Sequence, residues 1–245
     1  MIRAVIFDLD GTLVQTERLK ATSYARAAVE LCPYEVSEEA VIEAYEDVVG
    51  LPRHEVASAL VERFDLERAS RARMDDCGMS APWQAFVQVR LGYYEDMISD
   101  PELLRDNQWP HNRDLLRVAR ESGCRTALAT MSGRQRTQQV LEALRLTDAF
   151  DFVATRDDVD RGKPDPEIYY LVCKELAILS NQSMAIEDSP AGVEAALAAD
   201  LLCIAVTTPF TREKIHAQGL LESRWIVDDP DRLPDLVRGM IQASS

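Results

Sequence analysis

Residues 2–11 read Ile2-Arg3-Ala4-Val5-Ile6-Phe7-Asp8-Leu9-Asp10-Gly11 and are the clearest indication of the fold. The short apolar run that ends at Phe7 is typical of a strand buried on both faces of a parallel sheet. Two aspartates and a glycine follow where this strand ends. Because ligands of an open α/β sheet bind outside the carboxyl ends of the strands, Asp8 and Asp10 are the first candidate site residues.

Five further apolar runs repeat this pattern and alternate with helical segments. The two clearest are residues 126–129 and 184–186, and weaker ones stand at 152–154, 203–206 and 225–227. Strands alternating with amphipathic helices predict a doubly wound α/β fold with a mostly parallel, Rossmann-like sheet. The helices of this part are predicted at residues 114–121, 136–144, 167–176 and 191–199.

A helical insert interrupts this alternation between about residues 17 and 100, where no convincing strand occurs. Segment 100–112, with Pro101 and Pro110, is predicted to be the linker back to the sheet. We therefore expect an α/β core made of residues 1–15 and 106–245, with a small helical cap domain at residues 16–105. The helices of the insert are predicted at residues 17–31, 37–49, 53–64 and 83–98.

The composition excludes several classes of protein. The chain has 42 acidic against 27 basic residues, a net charge of −15, whereas a nucleic-acid-binding domain needs a clustered basic face. No stretch approaches the roughly 20 apolar residues that span a bilayer, and acidic residues come too early for a signal peptide. Five cysteines without a C-x-x-C motif are typical of reduced thiols. We expect a cytoplasmic monomer or weak dimer that binds neither nucleic acid nor a membrane.

Carboxylates also follow the strand at residues 184–186, where the next residues are Glu187 and Asp188. Together with Asp8 and Asp10 they would meet at one edge of the sheet. Clustered carboxylates raise one another's pKa unless a cation lies among them. Oxygen ligands of this kind are the ones that Mg²⁺ prefers, so the sequence predicts Mg²⁺ as the cofactor.

Phosphoryl transfer is the chemistry that these residue types favour. Asp8 is suited to attack phosphorus and form an aspartyl phosphate, and Asp10 lies on the same side as a candidate general acid and base. The hydroxyls of Thr130 and Ser132, which follow the strand at 126–129, and the ammonium group of Lys163 would stabilise the charge of the transition state.

The sequence resembles the haloacid dehalogenase superfamily of phosphotransferases. Within that superfamily it is similar to the phosphatase and β-phosphoglucomutase-like group, which has a helical cap inserted after the first motif. Four motifs occur in the order of the family and together cover nearly the whole chain. They are Asp8-Leu9-Asp10-Gly11-Thr12-Leu13-Val14, Leu128-Ala129-Thr130, Lys163-Pro164, and Ile186-Glu187-Asp188-Ser189-Pro190-Ala191-Gly192.

The resemblance implies a role for each matching residue. Asp8 would be the nucleophile and a metal ligand, and Asp10 the acid/base, which also binds the metal through its backbone carbonyl. The phosphoryl group would be bound by Thr130, Met131 and Lys163. Asp188 would be a further Mg²⁺ ligand, and Glu187 another, directly or through water. Asp10 also disfavours the metal-free haloacid dehalogenases and the phosphonate-cleaving relatives, which lack this aspartate.

The predicted cap departs from the family pattern. Gln15 stands in place of an aspartate, and Lys20 in place of a histidine that positions the acid/base in the sugar-phosphate mutase. Arg53 resembles a cap arginine that contacts the distal anionic part of the substrate, and Arg90 falls where the mutase has a substrate-contacting lysine. The alternative is that these three are solvated surface cations; it is favoured for Lys20 and Arg90 and evenly balanced for Arg53.

The sequence thus predicts a Mg²⁺-dependent phosphatase acting on a small phosphorylated metabolite, with sugar phosphates among the candidates. A mutase of the β-phosphoglucomutase type is the alternative, and a non-catalytic regulatory protein on this fold is the third hypothesis. The histidines His54, His111 and His216 are not at metal-binding spacing and are expected at the surface.

Overall fold

The computed structural model describes residues 1–49 and 51–243, which divide into two compact units. One unit comprises Met1–Gln15 and Leu104–Ser245, and the other comprises Thr16–Leu103. None of the helices in the described residues combines the length and apolar character that crossing a bilayer would need.

Within the described residues the first unit contains a six-stranded sheet in which all neighbouring strands are parallel. All six predicted strands are confirmed to within two residues at each end. They are β1 (Ala4–Phe7), β2 (Arg125–Ala129), β3 (Phe152–Ala154), β4 (Ser183–Glu187), β5 (Leu202–Val206) and β6 (Ile226–Val227).

The strand order is β3-β2-β1-β4-β5-β6, the order of a doubly wound Rossmann-like sheet. The order reverses between β1 and β4, and this is where such sheets open a crevice for ligands. Phe7 pairs with Ile186 in this register, so the residues that follow β1 lie beside the end of β4. Strand β1 is buried along its whole length, as its uninterrupted apolar sequence predicts.

The second unit is helical throughout its regular structure. The four helices predicted here are confirmed. The sequence Gly50-Leu51-Pro52-Arg53 also predicts a break and restart between the second and third of them, of which Gly50 lies outside the described residues. A further helix of this unit is not predicted by the sequence, and neither is a short one that begins in this unit and ends in the first. The helices are α1 (Thr16–Leu31), α2 (Glu38–Val48), α3 (Arg53–Arg63), α4 (Glu67–Cys77), α5 (Pro82–Ser99) and α6 (Pro101–Asp106).

Helices pack on the sheet of the first unit, and the buried residues of α9 (Glu167–Leu176) and α10 (Pro190–Ala198) form part of its apolar core. Helix α10 begins as predicted, with Ser189 as its N-cap: the Ser189 hydroxyl accepts a hydrogen bond from the Gly192 N–H at 3.1 Å. The helices are α7 (Pro110–Glu121), α8 (Arg134–Leu144), α9 (Glu167–Leu176), α10 (Pro190–Ala198), α11 (Arg212–Gln218) and α12 (Leu233–Ala243).

Two features of residues 100–112 do not follow from the sequence. This segment is largely helical, because Pro101 and Pro110 each begin a helix at a position where the missing N–H costs nothing. His111, expected at the surface, is buried in the first turn of α7, and its ring centroid lies 5.3 Å from that of Trp109. Burial lowers the pKa of His111 and so favours the neutral imidazole.

Candidate active site

Asp8 lies directly after β1, at the edge of the sheet where the strand order reverses. Its backbone N–H donates to the carbonyl of Ile186 at 3.0 Å, so the β1–β4 ladder continues through this residue. The side chain is buried, with 7% of the residue exposed. Because Asp8 is the first residue after a strand fixed on both sides, its carboxylate has a defined position beside the end of β4.

Lys163 brings a positive charge into this edge from the loop before α9. Its Nζ donates to Asp8 Oδ1 at 2.7 Å, to the Ala129 carbonyl at 2.8 Å and to Glu187 Oε1 at 2.5 Å. Only 4% of the lysine side chain is exposed. Since an ammonium group has three donors, all of them are satisfied, and Lys163 links the ends of β1, β2 and β4.

The charges of this cluster do not balance. Burial raises the pKa of Asp8; Lys163 opposes that rise, whereas Glu187 and Asp10 add to it. Burial alone would lower the pKa of Lys163, but the carboxylates of Asp8 and Glu187 outweigh it and raise that pKa. The lysine therefore stays charged, and a further cation is needed to keep Asp8 ionised.

The carboxylates fit such a cation. Asp8, Glu187 and Asp188 are all buried, and each offers a ligand atom within 4.8 Å of the others. Glu187 Oε2 has no hydrogen-bond partner in the part of the chain that the structure describes, although the residue is fully buried. Three carboxylates, one of which has a buried oxygen without a hydrogen-bond partner among the described residues, are a set of oxygen ligands that suits Mg²⁺.

Two glycines leave room for these carboxylates. A Cβ on Gly11 would lie 1.9 Å from Asp188 Oδ2, and a Cβ on Gly192 would lie 1.9 Å from Glu187 Oε2. Gly11 also has a φ of +84°, a conformation that favours glycine. The glycines of the first and fourth motifs are therefore required where the backbone passes close to the acidic cluster.

Asp10 and the loop after β2 form the other side of the edge. The Ser132 hydroxyl donates to Asp10 Oδ2 at 2.6 Å, and the Ser132 N–H donates to Thr130 Oγ1 at 3.1 Å. Thr130 is fully buried. Met131 Sδ accepts from the Lys163 N–H at 3.3 Å, which ties this loop to the one that carries the lysine. The predicted core residues are thus brought together, and Ser132 joins them as a direct partner of Asp10.

Arg90 is buried in the helical unit, so the interpretation of it as a surface arginine is wrong. Its guanidinium lies over two aromatic rings, 4.9 Å from the centroid of Tyr24 and 4.3 Å from that of Tyr94. Arg90 Nε is buried and has no hydrogen-bond partner among the described residues. Aromatic faces stabilise a buried cation, which explains how Arg90 is accommodated without an acidic partner in these contacts.

Lys20 and Arg53 belong to the same region of this unit. Burial raises the pKa of the Tyr24 hydroxyl, and the charges of Arg90, Arg53 and Lys20 act to lower it, so all three cations lie within electrostatic reach of one phenol. Lys20 also donates to Glu17 Oε1 at 2.6 Å, and Glu17 Oε2 accepts from the Tyr45 hydroxyl at 3.1 Å. The spacing of Glu17 and Lys20, three residues apart on α1, is a signal of this ion pair.

The chain resembles known proteins along most of its length. A family model described as haloacid dehalogenase-like hydrolase matches residues 2–200. A phosphorylated carbohydrates phosphatase from Thermotoga maritima is 30% identical over 201 residues, which cover 82% of each chain. A validoxylamine A 7'-phosphate phosphatase from Streptomyces hygroscopicus subsp. limoneus is 29% identical over 231 residues, which cover 92% of this chain and 97% of the relative.

A solved structure has the same fold. The structure of a candidate beta-phosphoglucomutase from Thermotoga maritima is similar to this chain with a TM-score of 0.74 and 26% identity. The match covers 97% of this chain and 99% of the other.

Proposed function

We propose that this chain, which belongs to the haloacid dehalogenase-like hydrolase family, is a Mg²⁺-dependent phosphatase acting on a small phosphorylated metabolite. The observation that carries the proposal is the buried cluster in which Lys163 binds both Asp8 and Glu187 at the sheet edge. The relatives named as phosphatases of phosphorylated carbohydrates and of validoxylamine A 7'-phosphate favour a sugar-like phosphate ester as substrate.

In the first half-reaction a carboxylate oxygen of Asp8 attacks phosphorus and the bond to the leaving oxygen breaks. Asp10, protonated at this stage, gives its proton to that oxygen, so the alcohol leaves neutral and Asp8 carries the phosphoryl group. The Ser132 hydroxyl, which donates to Asp10 Oδ2, holds the Asp10 carboxyl in orientation.

In the second half-reaction Asp10, now a carboxylate, takes a proton from water as the water oxygen attacks phosphorus. The acyl–phosphate bond breaks, inorganic phosphate is released, and Asp8 and Asp10 return to their starting states. Lys163, Thr130 and the backbone at Met131 would hold the phosphoryl oxygens during both steps.

The metal would be held by the carboxylates of Asp8, Glu187 and Asp188 and by the backbone carbonyl of Asp10. A bound Mg²⁺ would supply positive charge that offsets the negative charge of the phosphoryl oxygens, so that the anionic Asp8 can approach phosphorus. The fit rests on the buried oxygen donors and on Glu187 Oε2, which has no other partner among the described residues.

For the helical unit we propose that Arg53, Lys20 and Arg90 recognise a second anionic group of the substrate. All three act to lower the pKa of Tyr24, so they lie within electrostatic reach of one side chain on a strongly acidic protein, and Glu17 offsets the charge of Lys20. Local charge of this kind is needed because a net charge of −15 repels anionic substrates at long range. Cytoplasmic location and the monomeric or weakly dimeric state stay predictions.

A panel of phosphate monoesters tests the proposed function directly. We expect the purified protein to release inorganic phosphate from sugar phosphates, to lose this activity when EDTA removes divalent metal, and to regain it with added Mg²⁺. Activity that EDTA leaves unchanged would contradict the metal dependence. Absence of turnover together with absence of Mg²⁺ binding would favour the regulatory hypothesis.

Analysis of the products separates the phosphatase from the mutase, which the likeness to the candidate beta-phosphoglucomutase keeps as the second function. Free phosphate equal to the substrate consumed is the expected result. An isomerised sugar phosphate with little free phosphate would reverse the order of the two functions. Lys20 stands where the mutase has its histidine, and its Nζ donates to Glu17 Oε1. This departure from the mutase favours the phosphatase.

Replacement of Arg53 by glutamine tests the role of the helical unit. Because a hydrogen bond to a charged group contributes more than a neutral one, we expect KM to rise about tenfold for substrates with a second anionic group. KM for simple monoesters should not change. Arg63→Gln is the matched control, since Arg63 ends the same helix and pairs with the exposed Asp47. Equal KM values for Arg53→Gln and the wild type would contradict this proposal.

A further inference from the structure

Tyr169 is fully buried in helix α9, six residues after Lys163, and it was not predicted as a site residue. Its ring packs in the apolar core of the first unit, and the ring centroid lies 5.3 Å from Lys163 Nζ. A phenylalanine would fill nearly the same space. The hydroxyl is the only polar atom of this side chain, so its contacts show what the tyrosine adds.

The Tyr169 hydroxyl donates a hydrogen bond to Glu187 Oε1. A phenol in an apolar core loses its hydration and needs such a partner. A hydrogen bond to a charged acceptor is stronger and more directional than one to a neutral acceptor. This hydrogen bond therefore connects a side chain of the apolar core to a carboxylate of the acidic cluster.

The two oxygens of Glu187 have different surroundings. Oε1 accepts from both Tyr169 and Lys163, whereas the buried Oε2 has no partner among the residues that the structure describes. The terminal torsion of a glutamate is broad, so the side chain itself does not fix the rotation of its carboxylate. Lys163 divides its donors among three acceptors. The second donor on Oε1 is what separates the two oxygens.

We infer that the Tyr169 hydroxyl is a positioning group that fixes the Glu187 carboxylate, so that Oε1 pairs with Lys163 and Oε2 stays available for the metal or its water. The inference rests on the proposed function, because it concerns the same metal site. Loss of a group that hydrogen-bonds a metal ligand and orients it commonly lowers metal affinity by about 10- to 100-fold. Tyr169 acts through Glu187 and does not itself touch the substrate.

The test compares Tyr169→Phe with Tyr170→Phe. Tyr170 is the matched control, because it is the next residue on α9 and its hydroxyl donates to the Ala198 carbonyl at 3.0 Å, away from the acidic cluster. Mg²⁺ binding is measured by titration calorimetry on the substrate-free proteins, and circular dichroism checks their fold. We expect Tyr169→Phe to weaken Mg²⁺ binding about tenfold and Tyr170→Phe to leave it unchanged.

Kinetics give a second readout that a merely structural role would not move. The activity of Tyr169→Phe should fall at low Mg²⁺ and recover to within about twofold of the wild type at saturating Mg²⁺. In a Glu187→Gln background the Tyr169→Phe change should add nothing further to the loss of Mg²⁺ affinity, since both substitutions act on the same carboxylate.

The outcomes distinguish the two levels of the proposal. Unchanged Mg²⁺ affinity of Tyr169→Phe, with or without a lower melting temperature, overturns the positioning role and leaves the phosphatase proposal standing. Additive effects of Tyr169→Phe and Glu187→Gln overturn it as well. A wild-type protein that neither binds Mg²⁺ nor hydrolyses phosphate esters overturns the proposed function, and the positioning role with it.

Discussion

Replacement of Asp8 by asparagine is expected to lower kcat for phosphomonoesters by at least about a thousandfold, because it removes the nucleophile. The substitution is nearly isosteric, and the amide oxygen can still accept the hydrogen bond that Lys163 donates to Asp8 Oδ1. A neutral amide is a poor nucleophile toward phosphorus, so binding should persist while the aspartyl phosphate cannot form. Phosphate release at saturating substrate and Mg²⁺ measures the effect.

The control for this variant is Asp148→Asn, which removes an exposed aspartate of the same unit. It should keep wild-type kcat. Rapid quenching with acid should detect phosphorylated protein in the wild type and in Asp148→Asn but not in Asp8→Asn. Turnover by Asp8→Asn close to the wild-type rate would show that another group, or water itself, attacks phosphorus.

The part of the site that lies on the strands could be predicted from the sequence. Asp8 and Glu187 come at the ends of apolar runs that read as buried strands, and parallel strands bring their carboxyl ends to one edge. That prediction needs only local patterns. The neighbouring positions of β1 and β4 do not follow from those patterns, because they depend on how the helices pack on the two faces of the sheet.

The contacts that complete the site could not be predicted in this way. Lys163 meets Asp8 across 155 positions of sequence, and Asp10 meets Ser132 across 122. The helical pattern of residues 167–176 is consistent with Tyr169 as an ordinary core residue, and nothing local shows that its hydroxyl reaches Glu187. Such contacts are set by side-chain directions in the folded chain, which a one-dimensional pattern does not contain.

Two helices and one buried arginine lack the local sequence patterns that would reveal them. Helix α4, Glu67–Cys77, is polar along most of its length and lacks the apolar period by which helices are recognised. Helix α6 has six residues and begins at a proline that also suggests a loop. Arginine is usually exposed, so the sequence favours a surface position for Arg90. The rings of Tyr24 and Tyr94 against which its guanidinium packs come from two different helices.

Replacement of Lys163 by methionine is expected to impair both stability and activity. Methionine keeps most of the apolar stem but leaves the carboxylates of Asp8 and Glu187 without the cation that links them. Breaking a buried ion pair by removing one partner costs about 3–5 kcal/mol in the free energy of unfolding. With charge neutralisation at the phosphoryl group also lost, kcat should fall by at least about a hundredfold.

The loss of stability should depend on pH in a defined direction. Burial already raises the pKa of Asp8, and removal of Lys163 takes away the main influence that lowers it. A carboxyl whose pKa is raised on folding stabilises the protein below its unfolded pKa, and this stability is lost as pH rises through the folded pKa. The deficit of Lys163→Met against the wild type should therefore be larger at about pH 8 than at about pH 5.

Urea denaturation in the presence of EDTA measures this difference without a contribution from bound metal. Lys174→Met is the matched control, because Lys174 is an exposed lysine on helix α9, and it should match the wild type at both pH values. A deficit for Lys163→Met that is the same at both pH values would mean that lost packing, and not the unbalanced carboxylates, is the cause. Partial recovery of the variant on addition of Mg²⁺ would show that a divalent cation can take over the neutralising role of the lysine.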